Sequence, residues 1–187
     1  MNKVRLILRS VTEILGNDEI GLLILADEQC TRQLAVPCDR NMLYQFQLRM
    51  QHVPITNLLL PEMLWQIVRS ETNAEFEVLI HDLINGLYRS MLLNTATLEP
   101  YTMRISDALL LAYVADIPIY IRDSLMRKQS IPFCKNTPGM SIPVNTLTDS
   151  MLTNALDRAI KDENYELASY LRDEMKRRHL HDTNNEK

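Results

Sequence analysis

The chain is poor in the residues that mark the commonest chemistries. It has three cysteines, Cys30, Cys38 and Cys134, and no two are spaced C-x-x-C. An odd, scattered set builds neither a disulfide framework nor a zinc site of familiar spacing. Buried or half-buried free thiols are expected instead. Four glycines, Gly16, Gly21, Gly86 and Gly139, are too dispersed for a phosphate-binding loop. No nucleophile elbow is present. The histidines, at 52, 81, 179 and 181, form no metal-binding pair along a helix with a Glu beside it. No run approaches the ~20 apolar residues of a membrane span. The opening MNKVRLILRSVTEI is broken by Lys3, Arg5 and Arg9, so it is no signal peptide. A cytoplasmic protein with no membrane partner is the expectation. Basic excess is also missing: Lys and Arg number 20 against 24 Asp and Glu, for a net charge of −4. That excludes a chain held on nucleic acid by a general basic surface, and leaves only a local patch formed in three dimensions. Aromatics, at 6 %, are not interleaved with basic residues, which disfavours a base-stacking platform.

What is present is apolar residue, 46 % of the chain, enough for a real core. Residues 3–9 alternate polar and apolar with period two, as a half-buried strand does. IGLLILA (20–26) reads as an inner strand, and 31–36 alternates again. Helical spacing follows at 40–50, through Leu43, Phe46 and Met50, and at 61–69, which opens with Pro61 in a tolerated first-turn position. EFEVLIHDL (75–83) and LYRSMLL (87–93) flank Asn85-Gly86, a strong two-residue hairpin signal. A strand is expected over 98–105, a buried helix over 106–116 and a short strand over 117–121. The fold class is α+β: a mixed or antiparallel sheet with packed helices, followed by a C-terminal αα-hairpin. The division is a domain over 1–130, a Pro/Gly-bearing linker over 131–148, a hairpin over 149–178 and a disordered tail over 179–187.

The hairpin carries the clearest pattern. Leu152, Ala155, Leu156, Ala159 and Ile160 fall on one helical stripe. Asp149 or Ser150 is placed to cap that helix, and Asn164 the next. The second stripe runs through Leu167, Ala168, Leu171 and Met175, flanked by Tyr165. Two helices this short are marginal alone, so the stripes call for a further surface. The run from Leu152 to Asp173, with Ala159-Ile160, Glu163, Tyr165-Glu166, Ala168 and Leu171-Arg172-Asp173, resembles the UVR motif. That motif is named after bacterial excision-repair subunits, where two such hairpins pack together, and it also occurs in regulators of bacterial protein quality control. The resemblance implies a protein partner bound through Leu152, Leu156, Ile160, Tyr165, Ala168, Leu171 and Met175. A generic hairpin packed on its own domain is the plainer alternative.

The first 130 residues resemble the bifunctional nuclease domain family. MRISDALLLAYVADIPIYI (103–121) carries the likeness through Arg104, Ser106, Asp107, Ala108 and Pro118-Ile119-Tyr120. VLIHDLINGLYRS (78–90) adds Asp82, Gly86 and Tyr88. Members with a C-terminal UVR motif are known, so the two resemblances agree on a bacterial-type protein. The chain departs from the family where acidic or titratable residues are usual: Thr102, Met42 and Asn57 stand there. The resemblance implies phosphodiester hydrolysis of DNA or RNA. Carboxylates holding Mg²⁺ or Mn²⁺ activate water and neutralise charge, and Arg aids the second. The candidates are Asp82, Arg104, Ser106 and Asp107, with Asp82 and Asp107 as metal ligands. Each also has a structural reading: Ser106 as a helix cap, Asp107 as a first-turn acid paired with Arg104, Asp82 as a strand-end acid. The competing functional reading is a non-catalytic adaptor in repair or protein quality control. The inner strands also suggest self-association into a homo-oligomer.

Overall fold

A computed structural model describes residues 2–14, 17–133 and 146–182. They fall into two units, Met1–Asp82 with Tyr88–Met140, and Leu83–Leu87 with Ser141–Lys187. Most of the expected linker, with Cys134, lies outside the described residues, as does the end of the expected tail.

The strands are β1 (Lys3–Ile14), β2 (Asn17–Asp27), β3 (Arg32–Asp39), β4 (Phe76–Ile84), β5 (Leu87–Asn94), β6 (Pro100–Arg104), β7 (Ile119–Arg122) and β8 (Ile131–Pro132), all in the first unit except for the β4–β5 turn at 83–87. They form one eight-stranded sheet in the order β6-β5-β4-β7-β1-β2-β3-β8. β4 and β7 run parallel, while β1–β2, β1–β7, β2–β3, β3–β8 and β5–β6 are antiparallel, so the sheet is mixed. β8 pairs with β3 through Arg32–Pro132 and Gln33–Ile131, which carries the domain just past its expected end at 130.

Register explains the core. Leu23 faces Val36 and Leu25 faces Leu34 across β2 and β3, and all four are fully buried. Val78 and Ile80 of β4 sit beside Ile119 and Ile121 of β7, extending the apolar layer. The helices α1 (Arg40–Met50), α2 (Leu60–Glu71), α3 (Ile105–Ala115) and α4 (Asp123–Gln129) pack around it. α4 was not expected: DSLMRKQ is too short to show a helical period, and it is held by its buried Leu125 and Met126.

α1 is the helix from which the others are placed. A Cβ on Gly21 of β2 would lie 2.8 Å from the Leu43 Cβ, so the helix reaches the sheet only because residue 21 has no side chain. Farther along α1, Phe46 meets Tyr113 of α3 edge to face, with ring centres 6.2 Å apart. At its end Arg49, 3 % exposed, holds Glu62 of α2 through two bonds of 2.8 and 2.9 Å and donates to Gln45. Across β1, β4 and β7, the Lys3 ammonium donates to Glu77 at 2.6 Å and stands 4.1 Å over the Tyr120 ring.

Cys38 is buried and Cys30 half-buried, as free thiols. Burial, with Asp39 adding to it, pushes the Cys38 thiol up to about 12, so it is inert as a nucleophile near neutrality.

Replacing Gly21 with Ala should destabilise the chain by about 1–3 kcal/mol through overpacking against Leu43. In a chain also carrying Leu43→Gly, which removes the Cβ as well as the rest of the side chain, the same change should cost markedly less. Urea unfolding of the four proteins of that cycle checks it, and additive effects would disprove the contact's role.

Candidate functional site

The sheet delivers Arg104 at the last position of β6, where the chain turns directly into α3. Its guanidinium donates from Nε to Asp107 Oδ2 at 2.7 Å and from Nη2 to Asp107 Oδ1 at 3.2 Å. Its Nη1 lies 3.5 Å from Asp39 Oδ2. The hydrogen bond to Asp107 raises the Arg104 pKa, its charge adds to this, and Asp39 contributes further. All three side chains are well exposed.

Local structure fixes both carboxylates. Asp39 is the N-cap of α1, where one oxygen accepts from the Met42 N–H at 2.8 Å while the other turns to Arg104. Asp107 sits in the first turn of α3, where a negative charge is favoured by the helix dipole. Two helix starts thus bring one Arg and two Asp together at the surface.

The expected residues separate. Arg104 and Asp107 pair. Ser106 does not cap α3: the helix starts at Ile105, the cap position is Arg104, and Ser106 is buried within the first turn. Asp82 lies on β4, exposed, with β5 between it and β6. Two strand spacings are about 10 Å of sheet. Among the described residues no three His, Cys, Asp or Glu gather into a metal-holding group. Asp39 is the member that sequence reasoning missed. Its one legible signal was an Asp just before a helical pattern, which announces a cap and says nothing of a partner 65 residues away.

The departures from the family pattern fall in different surroundings: Met42 is core, and Asn57 and Thr102 are exposed. Tyr88, which fits the pattern, is buried, and burial pushes its phenol pKa up.

The second unit contains α5 (Asp149–Lys161) and α6 (Tyr165–Asp182). The helix continues into the expected tail as far as Asp182. Thr148, not Asp149 or Ser150, caps α5, accepting from the Met151 N–H at 3.4 Å. Asn164 caps α6 as expected, accepting from the Leu167 N–H at 3.2 Å. Arg178 clamps the hairpin, donating to Glu174 at 3.0 Å on α6 and to Asp149 at 2.9 Å on α5. Arg177 also turns to Glu174.

The hairpin divides its own apolar residues. Leu152, Ala159, Ala168 and Leu171 are buried in a core of their own, with Leu147, Ala155, Leu156 and Met175 packed half-buried against it. Leu152, Leu156, Ala168, Leu171 and Met175, read above as partner-facing, therefore face the hairpin's interior. The large apolar residues left exposed are Ile160 on α5 and Tyr165, Leu167 and Tyr170 on α6. A shallow hollow bordered by Asn164, Leu167, Tyr170 and Asp173 lies beside the last two. Tyr170 was missed because it falls outside the stripe that closes the hairpin.

A mixed sheet with helices, a charged cluster at two helix starts and a trailing αα-hairpin define a two-module α+β protein. Residues 23–133 match the model of the bifunctional nuclease domain, and residues 152–177 match the UvrB/UvrC motif. The chain belongs to the bifunctional nuclease domain family and carries a UvrB/UvrC motif behind that domain. No curated protein matches it.

Leu171→Ala should destabilise the hairpin by about 2–5 kcal/mol, as a buried truncation does. Tyr170→Ala should change stability by no more than about 0.5 kcal/mol. Helical circular dichroism against temperature separates the two; equal losses would mean the sides are wrongly assigned.

Proposed function

We propose that this chain is a metal-dependent nuclease acting on a DNA or RNA phosphodiester at Asp39, Arg104 and Asp107, with the hairpin docking on another protein. The observation that supports it is the shared grip of two carboxylates, from two helix starts, on one exposed guanidinium. The planar fork of Arg matches phosphate oxygens as well as it matches carboxylates. Asp39 and Asp107 are the carboxylates that would hold a Mg²⁺ or Mn²⁺ beside a bound phosphate. They do not amount to an all-protein cage. Bound there, such a metal supplies a water of lowered pKa and neutralises phosphate charge. The chain's own residues bind and orient: Arg104 exchanges Asp107 for a non-bridging phosphate oxygen. The Asp107 Oδ2 so released is the acceptor for the attacking water's proton. Asp82 and Ser106 stand outside this arrangement.

The test is cleavage of single- and double-stranded DNA and RNA with Mg²⁺, Mn²⁺ or EDTA. Asp39→Asn is the sharpest variant, since Asn keeps the helix cap while removing the charge. Cleavage should stop with EDTA and fall by about 100-fold or more in both Asp39→Asn and Asp107→Ala. Asp82→Ala should behave as the parent. No cleavage of any substrate with either metal would sink the reading.

The exposed Ile160, Tyr165, Leu167 and Tyr170 favour a second reading, a non-catalytic adaptor. The α+β domain then serves as the platform and the hairpin face as the contact, in repair or protein quality control. Tyr170→Asp would abolish partner binding there and leave any nuclease activity untouched.

A further inference from the structure

Strand β6 runs antiparallel to β5, and its last residue meets an early residue of its neighbour: Arg104 stands directly opposite Arg89. Opposite residues of an antiparallel pair share a face, with Cβ atoms ~5 Å apart. The register is pinned there. Ser90, buried next to Arg89, donates its hydroxyl to the Met103 carbonyl at 2.9 Å. The next pair along the arginines' face, Met91 with Thr102, carries no charge. Two guanidiniums are thus held side by side at one end of the β5–β6 ladder.

Only one of them is compensated. Arg104 takes both oxygens of Asp107 and approaches Asp39. The other oxygen of Asp39 is occupied by the α1 cap. Arg89 is exposed, and among the described residues its guanidinium has no hydrogen bond and no ion pair. Like charges directly opposite each other destabilise a sheet. An uncompensated arginine facing another is therefore a position that a bound anion improves.

We infer that Arg89 is a second phosphate-binding residue of this site, gripping the same phosphodiester as Arg104. The inference rests on the reading of the Asp39–Arg104–Asp107 cluster as a phosphodiester site. A phosphodiester offers two non-bridging oxygens, and two forks whose Cβ atoms are ~5 Å apart can take one each. Binding asks different things of the two arginines. Arg104 must release Asp107, whereas Arg89 releases only water. Arg89 therefore makes the first contact, and the phosphate it holds then draws Arg104 from its carboxylate. Its charge also offsets the repulsion that Asp39 and Asp107 exert on an approaching polyanion.

The test reads binding without cleavage. Labelled single- and double-stranded DNA and RNA oligonucleotides are titrated with the full chain in EDTA, and fluorescence anisotropy follows them from about 50 to about 200 mM salt. The parent should bind at least one of them. Arg89→Gln should weaken that binding by about 10-fold and lower the slope of log affinity against log salt by about 1. Arg89→Lys, which keeps the charge and loses the fork, should restore the slope but not the full affinity. Arg127→Gln, the same change of charge on α4, should bind as the parent does. Free of ligand, Arg89→Gln should melt no lower than the parent, since it removes one of two facing like charges. A clearly lower melting temperature would give Arg89 to the fold and overturn the inference. So would a parent that binds no oligonucleotide, or equal losses in Arg89→Gln and Arg127→Gln. The cleavage assay decides the nuclease reading separately: metal-dependent cleavage, with binding unchanged in Arg89→Gln, leaves that reading standing and removes Arg89 from it.

Discussion

The missing side chain at residue 21 is the constraint from which the first unit's arrangement follows. Leu43 occupies the space a Cβ would take, so α1 lies directly on β2. With α1 set down there, its start carries Asp39 to Arg104, its middle carries Phe46 to Tyr113 of α3, and its end carries Arg49 to Glu62 of α2. The charged cluster, the buried helix and the exposed helix are all referred to one contact. Such a contact is van der Waals in kind, weak per atom pair and large in sum, and it is sensitive to small displacements.

The electrostatics of the cluster have an internal tension. Arg104 and Asp107 satisfy each other at hydrogen-bond distance, and Asp39 is engaged both as a cap and as a second counter-charge. Each group of this triad is already in use. Because the groups are exposed, the pairing is worth little, of the order of 1 kcal/mol or less, so exchange for water, phosphate or a cation is cheap. A buried version of the same triad would be rigid and much less able to exchange.

Much of this architecture was legible in the sequence, and what was not has a common cause. Alternation at 3–9 and the apolar run at 20–26 announced β1 and β2, Asn85-Gly86 announced the β4–β5 turn, and helical spacing announced α1, α3, α5 and α6. Those signals are local. The meeting of Asp39 with Arg104 spans the sheet and leaves no trace in any periodicity. Ser106 was misjudged because Ser before a helix usually caps it, whereas here the chain enters α3 straight from β6. The hairpin stripes were found, but an apolar stripe does not say whether it faces a partner or its own second helix. α2 shows the converse: its period is plain, and only the structure reveals that the better half of it faces outward.

The turn at Asn85-Gly86 is the kind of site chosen for inserting a label or epitope, being short and between two strands. Gly86 has φ of +74°, and a Cβ there would stand 2.1 Å from the Leu147 carbonyl oxygen, within the unit that contains the hairpin helices. Both the backbone conformation and the crowding restrict this position to glycine. Whoever wishes to tag or graft onto this protein should leave that loop alone, and should expect natural variants to vary elsewhere first.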